Sequence, residues 1–243
     1  MAHGAPDDSN VVKQGDVYRL DDMAELAARL GSPVSYHRFG TVIWTETFEG
    51  GLGGVTPVET HPGAKVYVQS LNWRSEGVAA ELHTEVADPE AVGMRKTGGY
   101  YRDTTLGFSV EFCNAGVGNI IRQYISYYDG SVRRHGAIRI TPPSGVIEYQ
   151  NESLTWVPCM DVGVLDADGL LWYPIKLILD TFNCCYIRFH FGDQVVDLSG
   201  IALYQEPCVE ASNSRLLLWL NSPDATERSV YTDNWVFTVN EEV

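Results

Sequence analysis

A chain of 243 residues with 44% hydrophobic content, 13 Tyr, 8 Phe and 6 Trp can bury a substantial core, and a single all-β domain of about 200 residues is an ordinary size. Its 32 acidic residues against 17 basic ones give a formal net charge of −15, a field that repels phosphate backbones and anionic lipid, so neither nucleic-acid nor membrane partners are expected. No basic-then-apolar leader is readable at the start, and no apolar run approaches the roughly 18 residues of a spanning helix, which predicts a soluble chain made in the cytoplasm.

The first 20 residues are polar, carry Gly and Pro, and show no period, so they are expected to gain order only against their own domain or a neighbouring chain. Asp22-Met23-Ala24-Glu25 fits a capping box, and Met23, Leu26, Ala27 and Leu30 follow at helical spacing, with Gly31 as a stop. The spacing predicts one amphipathic helix over about 22–30 within an arm spanning 1–40. Its stripe of Met, Leu and Ala must dock elsewhere, either on its own domain or in a partner's groove. Val11, Val12, Tyr18, Leu20, Met23, Leu26 and Leu30 are the side chains this arm would use for assembly.

After Pro33 the period changes to that of strands. Leu106, Phe108, Val110 and Phe112 alternate with smaller or polar residues, as do Ile187, Phe189 and Phe191. Similar runs, separated by turn signals such as Asp129-Gly130 and Asp168-Gly169, total roughly twelve strands. No helical segment intervenes, which excludes parallel βαβ units and predicts an all-β, antiparallel two-sheet jelly-roll sandwich over 41–243.

The Phe48-Glu49-Gly50 strand end, with Tyr231-Thr232-Asp233-Asn234-Trp235-Val236-Phe237 near the other end and Asp197-Leu198-Ser199-Gly200 between them, resembles the concanavalin A-like or laminin-G-like jelly-roll superfamily. The resemblance implies that the opening and closing strands lie side by side, with Trp44 and Trp235 in the core and Asp233 and Asn234 tying a bend. The leader Leu26-Ala27-Ala28-Arg29-Leu30-Gly31, followed by Tyr36-His37-Arg38-Phe39-Gly40, looks like bacteriophage structural proteins. That likeness implies a virion setting.

The residues offer little readable chemistry. Jelly-roll glycosidases need two carboxylates roughly 5 to 5.5 Å apart for retention, and related enzymes place them as E-x-D-x-x-E, a string this sequence lacks. Glu46, Glu81 and Glu111 are the acids a divergent glycosidase would use. Asp166 and Asp168 alternate as calcium ligands would, but lack the third ligand and distal Glu of a calcium loop, and a tight turn is the simpler account. The six His show no zinc spacing, and the five Cys, an odd number without CxxC, read as reduced thiols. Cys184 and Cys185, placed in one strand, would face opposite sides.

Trp73, Tyr100, Tyr101, Tyr127 and Tyr128 are the aromatic residues expected to contact a glycan or another subunit. Each Tyr-Tyr pair must put one ring on each face of its strand. The function expected from the sequence is therefore non-enzymatic and without a cofactor: a self-associating virion surface protein, such as a capsid decoration protein, attached through its arm to itself or to capsid subunits. The alternative is a carbohydrate-binding, lectin-like module.

Overall fold

The computed structural model describes residues 40–70, 72, 74, 77–85, 91–169, 171–222 and 226–242. The expected arm with its helix and seven docking side chains, and Trp73, lie outside the described residues. Those described form sixteen strands: β1 (Thr41–Glu46), β2 (Thr56–Glu59), β3 (Lys65–Gln69), β4 (Ala79–Thr84), β5 (Ala91–Gly98), β6 (Thr105–Ala115), β7 (Ile120–Tyr128) and β8 (Val132–Thr141) come first. They are followed by β9 (Val146–Gln150), β10 (Trp156–Asp161), β11 (Trp172–Asp180), β12 (Cys185–Phe191), β13 (Gln194–Asp197), β14 (Tyr204–Pro207), β15 (Asn213–Asn221) and β16 (Arg228–Val239).

The strand count exceeds the roughly twelve expected because β2, β5, β10 and β13 give weak signals. Pro57 and Pro158 interrupt two of them, Gly93 sits inside the third, and β13 is four residues long. Proline cannot donate to a ladder and glycine has no side chain to pack, so each weakens a strand pattern without preventing pairing.

All pairings are antiparallel and build two eight-stranded sheets, an all-β sandwich with no helix among the described residues. The first sheet runs β13-β12-β11-β6-β16-β4-β3, with β1 also on β16; the second runs β10-β9-β8-β7-β15-β5-β2, with β14 also on β8. The opening and closing strands do lie side by side, Thr45 opposite Val236 and Glu46 opposite Trp235. The β16 ladder shifts register between Asp233 and Val236, where Asn234 takes φ 52° and the Asp233 carboxylate accepts from the Asn234 and Arg74 amides.

Alternating side chains of both sheets fill the interior. Trp235 is fully buried, edge-on to Phe48 (6.1 Å between ring centres) and Phe108 (5.1 Å), with its indole N–H donated to Thr232 Oγ1 at 2.7 Å. Trp44, expected in the core, is only partly buried and packs at its margin under the Lys96 ammonium. Cys184, expected within a strand, lies in the turn before β12 at φ 54°.

One polar group crosses the core for a definite reason. β14 pairs with β8 from Val132 to His135 and β9 pairs from Ile138 onward, so the Ala137 amide falls in a gap between partners. The buried Tyr186 hydroxyl fills that gap, accepting from Ala137 N at 2.8 Å and donating to Gln150 O at 2.7 Å. Tyr186→Phe should therefore cost about 1–3 kcal/mol, the penalty for an orphaned buried amide. Chemical denaturation would measure it, and a change below half of the lower figure would mean that water reaches the gap.

Candidate functional site

The outer face of the second sheet is built by three long strands whose alternate residues point away from the core. Along β15, Leu216, Leu218 and Leu220 are buried while Arg215, Leu217 and Trp219 face out. Along β7, Ile121, Gln123, Ile125 and Tyr127 point inward, leaving Arg122, Tyr124, Ser126 and Tyr128 outside. The register sets these residues into rows: Arg95, Leu217 and Tyr124 in one, Arg215, Ser126, His135 and Tyr204 in the next. A third row places Trp219, Arg122, Arg139 and Glu148 side by side.

The result is a shallow depression of about 220 Å³ over Arg95, Tyr124, His135, Arg215, Leu217 and Trp219. Trp219 lies across the sheet because Gly93 is opposite it: a Cβ on Gly93 would stand 2.8 Å from the indole ring and 2.7 Å from Leu218 O. A side chain there would lift the indole from the strand, so the glycine seats the ring.

The charges on this face are not balanced. Arg133 pairs with Glu206, Arg139 with Glu148 and Arg215 with Glu210. Arg95 and Arg122 have no carboxylate partner among the described residues, and the Nε of each is buried without a hydrogen bond. Arg122 and Arg139 instead approach the ring of Trp156, at 5.5 and 4.7 Å from its centre. The Nε atoms of Arg133 and Arg215 on this face are unpaired as well, so what sets Arg95 and Arg122 apart is the lack of a carboxylate among the described residues.

Titratable groups that could move a proton sit at the same place. His135 is 8% exposed, its Nε2 lies 3.0 Å from Gln150 Oε1, and its ring is flanked by Tyr204 (4.9 Å) and Tyr124 (6.0 Å). Burial pushes its pKa below the ordinary 6.5, with the Gln150 bond opposing. The ring is therefore neutral at pH 7, and because a Gln carbonyl only accepts, Nε2 carries the hydrogen and Nδ1 keeps its lone pair. Among the described residues the Tyr124 hydroxyl makes no hydrogen bond. Tyr128 accepts from Arg215 Nη1 at 2.9 Å with that guanidinium 4.4 Å over its ring.

Of the described aromatic residues expected to meet a glycan, only Tyr128 belongs to this face. Tyr127 points the other way, into the core, and Tyr101 packs on Phe237 at 5.4 Å. Tyr100 lies at the loop end of the sandwich. The acids proposed for glycosidase work are scattered: Glu46 accepts from the Phe48 amide, Glu81 from Ser229 Oγ, and Glu111 from Arg74 and Asn234 on the first sheet. Asp166 and Asp168 gather no group of three metal-type side chains among the described residues; the Asp166 amide bonds to Tyr173 Oη instead. Missed were Arg95, Arg122, Tyr124, His135, Arg215 and Trp219, although the outward alternation in Arg215-Leu216-Leu217-Leu218-Trp219 was there to read.

No protein-family model matches the chain, and no curated protein does. Among solved structures, it is similar to an endo-β-1,4-glucuronan lyase from the fungus Trichoderma reesei: 14% identity, 82% of this chain and 95% of that one, TM-score 0.58. It is also similar to a carbohydrate esterase from the Shiga toxin-encoding bacteriophage phi24B: 14% identity, 83% and 100% coverage, TM-score 0.59. A Bacillus subtilis protein of unknown function with a galectin-like fold matches at 8% identity, 85% and 100% coverage, TM-score 0.57. The shared property is the fold, an all-β jelly-roll sandwich. These likenesses also overturn the expectation of a chain without catalysis: two proteins on this scaffold are named as enzymes acting on glycans, so a missing E-x-D-x-x-E string does not argue against activity.

Proposed function

We propose that this protein binds an acidic polysaccharide, a chain of uronate sugars, across the outer face of the second sheet and cleaves it by β-elimination. The observation that carries the reading is the pair Arg95 and Arg122, guanidiniums with no carboxylate partner among the described residues, beside the seated Trp219, on a chain whose formal net charge is −15. An acidic protein that concentrates unpaired arginine on one face attracts anions there against its overall field. The lyase named among the same-fold proteins supports the reaction class.

In the proposed reaction the arginines hold the sugar carboxylate and spread its charge, which acidifies the hydrogen on the adjacent ring carbon. His135 Nδ1 takes that proton as general base. The electron pair left on carbon forms the ring double bond as the glycosidic C–O bond breaks, and the Tyr124 hydroxyl protonates the departing oxygen. One chain becomes two, one of them unsaturated, and no external oxidant or cofactor enters the balance.

The test exposes the full chain to polyglucuronate, alginate and pectate, with neutral xylan as control, and follows ultraviolet absorbance of the unsaturated product together with retardation in polysaccharide-loaded gels. Arg95→Ala and Arg122→Ala should each weaken acidic-chain binding about tenfold to a hundredfold, the range of a lost charge-assisted hydrogen bond. Rising salt should weaken it further as the exposed charges are screened. Equal binding of neutral and acidic chains, or an Arg95/Arg122 double variant that binds normally, overturns the reading.

A further inference from the structure

At the loop end of the sandwich a second depression, of about 400 Å³, opens between the two sheets. Three connections frame it: the segment entering β6 with Tyr100, Arg102 and Asp103, the β7–β8 turn, and the β11–β12 turn with Phe182 at its tip. It is separate from the arginine-rich face, because Tyr127 and Arg134 reach it from the core side of β7 and β8, the side opposite Tyr128 and His135.

The frame is rigid for local reasons. Asp180 Oδ1 accepts from the Phe182 and Asn183 amides at 2.8 and 2.9 Å, fixing the tip. Thr181 ties this turn to the β5–β6 connection, donating its hydroxyl to Thr104 O at 2.7 Å and accepting from the Thr104 amide at 3.1 Å. Across the opening, Asp129 accepts from the Ser131 and Val132 amides and from Arg134 Nη1 at 2.8 Å, all of which hold its carboxyl well below the usual carboxylate range.

Two features distinguish this opening from a structural turn cluster. Phe182 is 71% exposed and has no aromatic partner among the described residues, so a fixed loop holds a bare aromatic face in solvent at the rim. The charges cancel: Arg134 pairs with Asp129 and Arg102 with Asp103. The depression thus offers hydrogen-bond donors and acceptors without net charge, next to an apolar plate, and is lined mainly by polar surface.

We propose that this loop-end opening is a second binding site, for a neutral sugar ring, with Phe182 stacking on its C–H face and the Arg134–Asp129 pair with the Tyr100 hydroxyl reading adjacent sugar hydroxyls. A neutral ligand suits the balanced charge, since an anion would meet Asp103 and Asp129 and a cation the two arginines. Stiff loops make binding cheap in conformational entropy, which is how a shallow site can still hold a small ligand.

The experiment titrates methyl glycosides of glucose, galactose and mannose into the full chain and follows saturation-transfer NMR and amide shifts. At least one should bind. Phe182→Ala, a change at an exposed loop tip that leaves the core intact, should weaken that binding about tenfold, the scale of one aromatic stacking contact. Arg95→Ala should leave it unchanged while weakening acidic-chain binding, so failure here and failure of the polysaccharide reading are told apart. The proposal is overturned if no neutral glycoside binds, if Phe182→Ala binds as well as the parent, or if binding is lost in Trp219→Ala and kept in Phe182→Ala.

Discussion

His135→Asn is expected to slow formation of the unsaturated product by about 10²–10⁴-fold while leaving acidic-polysaccharide binding little changed, because the base is removed and the arginines are not. The Asn amide matches the position of Nδ1 and not that of Nε2, so the variant gives up the Gln150 bond but leaves Arg95 and Arg122 in place. The pH dependence follows from the direction of the His135 shift. Its burial favours the neutral form, so the acid limb of the rate should lie below the ordinary 6.5. The same shift makes the unfolded chain bind the proton first as pH falls. Stability should therefore drop as pH descends from the ordinary value towards the folded one, and His135→Asn should flatten that drop. A rate that survives His135→Asn but vanishes in Tyr124→Phe would move the base to Tyr124; a rate unaffected by both would remove this pocket from the chemistry.

The fold was legible because a sandwich core imposes period two. Leu106 to Phe112 and Ile187 to Phe191 announced their strands, and the ends of the domain announced their pairing through Phe48 and the run from Tyr231 to Phe237. The site was less legible for a physical reason: its residues come from β5, β7, β8 and β15, which only the sheet register brings together. Arg95 was the hardest to see, because Gly93 blurs the pattern of its strand, and that same glycine seats Trp219. Adjacent tyrosines drew attention to positions where at least one ring must face the core. Tyr127 is that ring, while its neighbour Tyr128 lines the depression and accepts from Arg215. Looking for paired carboxylates also pointed away from a site built on arginine, histidine and tyrosine.

Glu241→Gln should destabilise the fold by about 3–5 kcal/mol, on the order of a 10 °C fall in Tm for a domain of this size. In the sequence Glu241 sits in the polar run Asn240-Glu241-Glu242. In the structure its carboxylate meets Lys176 Nζ at 2.6 Å, with both side chains essentially inaccessible at 0% and 1%. Thr238 Oγ1 also contacts the carboxylate, and Thr105 Oγ1 donates to the Glu241 carbonyl at 2.7 Å. Gly107 is what admits it: a Cβ there would stand 2.6 Å from Glu241 Oε1. Lys176 lies on β11 between core residues Ile175 and Leu177, and burial lowers its pKa while Glu241 raises it, so the carboxylate favours the ammonium against its desolvation. Removing the carboxylate charge alone takes the ion pair from a buried ammonium, whereas Lys176→Met with Glu241→Leu removes both desolvation costs and should come close to the parent. Denaturant midpoints of the parent, the single and the double variant decide it. A single variant within about 1 kcal/mol of the parent would show the pair to be hydrated, and a double variant as weak as the single would assign the stability to the Thr238 hydrogen bond instead.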